Sequence, residues 1–174
     1  MKLNKLWEGL KQIANGDYVL EGDLVSDENI EVDLDDRLVV RGKIVSKKSI
    51  IVRCGIEAGC GIEAGWGIKA GCGIKAGDGI KAGDGIEAGD GIEAGYGIEA
   101  KTFIHSEKRI FAGVSVYATS ESCIKTITCA ELRKGEICFG ELVITKPEAP
   151  AETVMSIAEI EEKLGVKNLK IKKE

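Results

Sequence analysis

Gly55-Ile56-Glu57-Ala58-Gly59-Cys60, Gly61-Ile62-Glu63-Ala64-Gly65-Trp66 and Gly67-Ile68-Lys69-Ala70-Gly71-Cys72 open a run that keeps the form Gly-Ile-(Glu/Lys)-Ala-Gly-X as far as Ala100. Ile recurs at 56, 62, 68, 74, 80, 86, 92 and 98, and Ala follows each by two. The same phase reaches out to Leu38, Ile44 and Ile50 upstream and to Ile104, Ile110 and Val116 downstream. Companion positions hold as well: Val40, Ser46 and Val52, then Ser106, Ala112 and Ala118. Regular hexads therefore span 38–118, and internal repetition outranks local propensity as a signal of fold.

Each hexad parses as a short strand and a corner. A helix is excluded, because two Gly in every six residues cost about 2 kcal/mol per repeat relative to Ala. In an extended segment Ile and Ala point inward and the charge between them points out. Gly-X-Gly then turns the chain, and its glycines are expected to supply positive φ.

The outward charges report the size of one coil. They run Glu57, Glu63, Lys69, Lys75, Lys81, Glu87, Glu93, Glu99. Residues 18 apart pair as 57–75, 63–81, 69–87, 75–93 and 81–99, and each pair joins Glu to Lys. A 12-residue coil would set Lys69 against Lys81 and Glu87 against Glu99. Like charges directly opposite destabilise a sheet and unlike ones stabilise it. The expected fold is thus all-β, a single-stranded, three-sided parallel β-helix of about 18 residues per coil. Its corners should stack as Cys54–Cys72–Asp90, Cys60–Asp78–Tyr96 and Trp66–Asp84–Thr102, with the lumen filled by Ile and Ala.

Composition narrows the function classes. The chain has 174 residues and a net charge of −5, from 24 Lys plus Arg against 29 Asp plus Glu. That balance argues against direct nucleic-acid binding, which needs clustered cations. No apolar run is long enough for a membrane span. The start, Met1-Lys2-Leu3-Asn4-Lys5-Leu6-Trp7-Glu8, lacks the apolar stretch of a signal peptide, so a cytoplasmic location is expected. The six Cys are then read as reduced thiols.

Both ends depart from the repeat. Leu3, Leu6, Trp7, Leu10, Ile13 and Ala14 recur at helical spacing before Asn15-Gly16, which predicts an N-terminal capping helix over 1–16. The solenoid occupies 17–145, with irregular spacing in 18–36 and strands marked by Ile124, Ile127, Leu132, Ile137, Leu142 and Ile144. Residues 146–150 form a linker. In 151–174, Ser156-Ile157-Ala158-Glu159 is a capping box, which predicts a small C-terminal helix and strand able to form a homodimer contact.

The hexads resemble those of left-handed β-helix acyltransferases and γ-class carbonic anhydrases. Leu38-Val39-Val40-Arg41-Gly42-Lys43-Ile44-Val45 is similar to bactofilins, right-handed β-helix proteins that polymerise end to end. The repeats and Arg109-Ile110-Phe111-Ala112-Gly113 also resemble Gly-Ile-Glu-Ala-Gly proteins of phages and gut bacteria. The handedness stays open between these resemblances.

Candidate sites follow from the pattern. Resemblance to acyltransferases would make His105, the single histidine, a general base; the coil register instead stacks it over Glu87 as a surface imidazole. One histidine cannot supply a three-His zinc site. Asp78, Asp84 and Asp90 fall on three different corners and cannot share a cation. Cys54 and Cys72 stack at a separation that a disulfide can span. No catalytic residue, metal site or cofactor is therefore expected. The segment 21–36 holds Asp23, Asp27, Glu28, Glu31, Asp33, Asp35 and Asp36 with no Lys or Arg. It reads as a solvated face or as a partner-facing acidic patch, and Trp66 and Tyr96 at corners are candidate anchors. The function expected is non-enzymatic: occlusion or sequestration of a macromolecular, protein partner by a rigid rod, in the manner of a phage-type inhibitor of a host defence or nucleic-acid enzyme. The alternatives are a self-assembling structural protein, bactofilin-like or virion-associated, and an acyltransferase.

Overall fold

Every Ile-(Glu/Lys)-Ala triplet forms a three-residue strand with both apolar side chains buried and the charged one facing out. The computed structural model describes residues 1–114 and 125–145. They build an all-β parallel solenoid of about 18 residues per coil and about six coils, with no helix among the described residues. The strands before the perfect repeats are β1 (Lys2–Leu3), β2 (Leu10–Gln12), β3 (Tyr18–Leu20), β4 (Leu24–Ser26), β5 (Ile30–Val32), β6 (Leu38–Val40), β7 (Ile44–Ser46) and β8 (Ile50–Val52). The repeats supply β9 (Ile56–Ala58), β10 (Ile62–Ala64), β11 (Ile68–Ala70), β12 (Ile74–Ala76), β13 (Ile80–Ala82), β14 (Ile86–Ala88), β15 (Ile92–Ala94) and β16 (Ile98–Ala100). After them come β17 (Phe103–Ala112), β18 (Thr126–Cys129), β19 (Glu131–Phe139) and β20 (Glu141–Ile144).

Every third strand pairs. One stack runs β3-β6-β9-β12-β15, a second β4-β7-β10-β13-β16-β18-β20, and a third β1-β5-β8-β11-β14. All five Glu–Lys pairs expected from the outward charges are register partners. Backbone hydrogen bonds also join the corners in the expected order: Cys72 to Cys54, Asp90 to Cys72, Asp78 to Cys60, Tyr96 to Asp78, Asp84 to Trp66 and Thr102 to Asp84. The lumen is solid. Ile from 44 to 110 in the hexad phase are all buried, with Ala filling the space between them.

The corner glycines have a different reason from the expected one. Positive φ occurs at Gly9, Gly16, Gly22, Gly113, Gly135 and Gly140, and at no glycine of the perfect repeats. Close approach is what excludes a side chain there. A Cβ on Gly83 would lie 1.9 Å from the carbonyl oxygen of Gly65 in the preceding coil, and one on Gly59 would lie 2.1 Å from that of Arg41. The glycines before Ile are less constrained from Gly55 to Gly79: at Gly67 the nearest carbonyl oxygen would be 3.3 Å away, whereas at Gly85 the Phe103 ring would be 2.4 Å away.

The N-terminal helix is not formed. Residues 1–16 contribute β1, which pairs in parallel with β5, and β2, which makes an antiparallel hairpin with β3. The N–H groups of Glu31 and Asp33 donate to the carbonyls of Met1 and Leu3 at 2.9 Å. A helix cannot supply those acceptors, because its own carbonyls are used internally, whereas a strand satisfies the open sheet edge. Gly9 at φ 93° and Gly16 at φ 97° make the turns. The helical spacing of apolar residues is therefore not used, and Leu6 is left 90% exposed.

The hexad also extends further back than its regular part suggests. Tyr18, Leu24 and Ile30 occupy the inward phase and pair with Leu38, Ile44 and Ile50 in the next coil. This first coil is longer than those of the perfect repeats. Its extra chain sits in the corner between β5 and β6, where Leu34 is buried.

Downstream, β17 runs straight through a corner that lacks Gly, pairing with both β14 and β15 and so merging two stacks. The phase then breaks: Ile98 pairs with Ile127, not with the expected Val116. Val116, Ala118, Ile124, the linker 146–150 and the C-terminal helix and strand of 151–174 lie outside the described residues.

Candidate functional site

The corner ladder Cys54–Cys72–Asp90–Lys108 lines a long open groove with a volume of about 1110 Å³. The groove exists because Gly55, Gly73 and Gly91 line it without side chains, while Arg37, Lys75, Glu93 and Lys108 rise along it. It begins at Asp17, Asp35 and Asp36, passes Phe111, and ends at Lys134 and Glu136. Six coil spacings, from Asp17 to Glu136, make it roughly 29 Å long.

Its charges largely neutralise one another. Arg37 bridges Asp17 at 2.6 Å and Glu57 at 2.8 Å. Lys75 pairs with Glu93 at 2.9 Å, Lys108 with Asp90, and Lys134 with Glu107. The Arg37 hydrogen bond, with help from Asn15, holds the Asp17 carboxyl below the usual aspartate range against the effect of burial. Lys134 and then His105 do the same for Glu107. Asp36 and Arg109 line the groove with no ion-pair partner among the described residues, one near each end.

The acidic segment is not uncompensated. The enlarged first coil sets it beneath a basic stretch: Asp27 pairs with Lys47 at 2.9 Å, Glu28 with Lys48, and Asp33 with Arg53 at 3.0 Å. Asp35 joins Arg53 at 2.7 Å and also Lys5, and these cations hold its carboxyl below the usual range. Asp23 accepts from the backbone N–H of Lys43 at 3.0 Å. Glu31 and Asp36 form no ion pair among the described residues, although Lys2 is the register partner of Glu31. The recurrence of acid and base at one constant offset, from Asp27-Glu28 to Lys47-Lys48 and from Asp33 to Arg53, is the sequence signal that would have revealed this pairing.

Trp66 and Tyr96 occupy separate corner ladders. Trp66 is 55% exposed, whereas Tyr96 is half-buried beside a second groove lined by Cys60, Asp78 and Thr128. The two aromatics therefore do not form one anchor. A further aromatic contact, absent from the sequence reading, stacks Arg133 over the Phe103 ring at 3.6 Å to its centroid.

His105 is the register partner of Glu87, but its imidazole contacts Glu107 at 2.8 Å. Glu87 is already engaged by Lys69 at 2.8 Å. Asp78, Asp84 and Asp90 lie on three ladders, and no cluster of His, Cys, Asp or Glu fit to hold a metal ion occurs among the described residues. Nor is any helix among them long and apolar enough to cross a membrane. The arrangement is a long recess bordered by side chains of alternating charge. No family model matches the chain, and comparison with curated proteins and with solved structures returned no significant match.

Proposed function

We propose that this chain is a non-enzymatic binding protein whose rod occludes or sequesters a protein partner, with an extended segment of that partner lying in the Cys54–Cys72–Asp90–Lys108 groove. The three strand stacks are read here as the three sides of a triangular rod, and the groove as one of its edges. The observation that carries the proposal is the groove itself, open over its whole length beside a lumen with no space for a ligand. About eight residues of extended chain, at about 3.4 Å each, match its length. Rigid repeats suit such a surface because each coil is held by its neighbours. Inhibition of a nucleic-acid enzyme or host defence protein is a narrower version. That version needs free carboxylates, and most of those in the acidic segment are paired.

Cross-linking mass spectrometry on partners captured with the full chain tests the reading. Cross-links should map to the groove, and Asp36→Lys with Arg109→Glu should abolish capture while Glu63→Ala on another stack leaves it intact. Capture that survives the groove variant, or cross-links elsewhere, would reject it.

Self-assembly is a second reading, favoured by one observation. No N-terminal helix forms, and among the described residues β1, β2 and β4 are sheet edges at one end and β19 and β20 at the other. Phe139, Leu142, Val143 and Ile144 are exposed there, Ile144 at 53%. Open edges with apolar side chains promote strand addition. Filaments in light scattering would support this reading, and a discrete species over a wide concentration range would dismiss it.

A further inference from the structure

Cys54 and Cys72 stand one coil apart on the same ladder, where the Cys72 N–H donates to the Cys54 carbonyl at 3.0 Å. Residues facing one another on neighbouring strands are about 4.8 Å apart, within the roughly 4.4–6.8 Å Cα separation of disulfides. Both thiols are half-buried and both line the open groove, so small oxidants reach them. The Cys54 thiol donates to the Asp35 carbonyl at 3.0 Å. That carbonyl belongs to the preceding coil, and Cys72 sits in the following one. Burial first, and then the adjacent Cys54, push the Cys72 thiol above its usual range.

The other described cysteines lack this arrangement. Cys60 has Gly42 and Asp78 as ladder neighbours, Cys129 is buried, and Cys138 is exposed on β19.

We propose that Cys54 and Cys72 are a modification site, a dithiol that a hydroperoxide converts into an intramolecular disulfide stapling two successive coils at the floor of the groove. Two S–H bonds and the peroxide O–O bond break and one S–S bond forms. The two thiols lose two electrons and two protons, and with hydrogen peroxide these leave as two molecules of water. The ring closed is one coil of the solenoid, and the Cα separation of neighbouring strands lies within the disulfide range. The site does not depend on what occupies the groove.

The full chain is treated with hydrogen peroxide, alkylated, and mapped by tryptic peptides without reduction. Cleavage after Arg53, Lys69 and Lys75 places Cys54 on peptide 54–69 and Cys72 on peptide 70–75. The expected product joins these two peptides with the loss of two hydrogens. Fragmentation should place the link at Cys54 with Cys60 alkylated, and dithiothreitol should reverse it. The proposal is overturned if Cys54 and Cys72 stay alkylatable at a peroxide dose that oxidises Cys60. A linkage through Cys60, or between two chains, overturns it equally.

Discussion

Lys69 Nζ lies 2.8 Å from Glu87 Oε1, although a full coil of chain separates the two residues. Lys75–Glu93 at 2.9 Å and Lys81–Glu99 at 3.3 Å repeat the relationship on the other two stacks. Each bridge is solvent-exposed and individually weak. Their value is register: Ile and Ala are the same in every hexad, so the apolar pattern alone fits coils of two, three or four hexads. The charges distinguish them.

Lys75→Glu sets a third carboxylate between Glu57 and Glu93, its two register partners. Stability should fall by about 0.2–1 kcal/mol, the range for a cross-strand pair. Adding Glu93→Lys should recover part of the loss, and concentrated salt should narrow the gap to wild type. Thermal denaturation of the three proteins at low and high ionic strength reads this out; a salt-independent loss would point to packing instead.

Ile74, 1% exposed in mid-stack, should cost about 2–5 kcal/mol when cut to Ala, because the solid lumen cannot close the cavity. Ile51 faces out at 43% exposure, and Ile51→Ala should cost less than about 1 kcal/mol. Equal denaturant midpoints for the two variants would contradict the inward assignment of Ile74.

Gly83→Ala should be among the most damaging single changes, above about 3 kcal/mol, since its Cβ would overlap the Gly65 carbonyl oxygen and backbone must move. At Gly67 the corresponding oxygen is 3.3 Å away, and Ala should be tolerated far better. Gly22→Ala separates the causes: φ is 81° with nothing within 4 Å, so only strain of about 1–2 kcal/mol applies. A ranking with Gly22 worst would restore the positive-φ explanation.

Acid should weaken the first coil. The Asp17 carboxyl is held below its ordinary value of 3.8, chiefly by the Arg37 hydrogen bond. A lowered folded pKa stabilises the protein fully above the unfolded value, and that stability is lost as pH falls through the folded one. Asp17→Asn should therefore be less stable than wild type at neutral pH, with the difference shrinking below about pH 4. Denaturant midpoints from strongly acidic to neutral pH measure it, and a constant difference would exclude linkage through Asp17.

The coil was legible because it is local information repeated. Ile56-Glu57-Ala58 carries its own strand pattern, and the sign of Glu57 against Lys75 carries the distance to the next coil. The corner ladder of Cys54, Cys72 and Asp90 follows from that distance alone. Leu6 and Trp7 misled for the opposite reason: their helical spacing is real, but β5 presents free N–H groups that only a strand can satisfy. The segment from Asp23 to Asp36 looked free of counter-ions because its partners, Lys47, Lys48 and Arg53, are a coil away. The insertion around Leu34 makes that coil longer than the regular ones, which hid the match.

Sequence by itself determined the repeat, the parallel pairing of every third strand and the burial of the Ile in the hexad phase, since all three are consequences of spacing and polarity along the chain. The tertiary structure decided the rest: the hairpin at the first coil, the break after Gly113, the groove over Cys54 and Cys72, and the reason Gly83 must be Gly. Those depend on which backbone groups meet between coils, where an unpaired N–H or a carbonyl 1.9 Å from a missing Cβ sets the outcome.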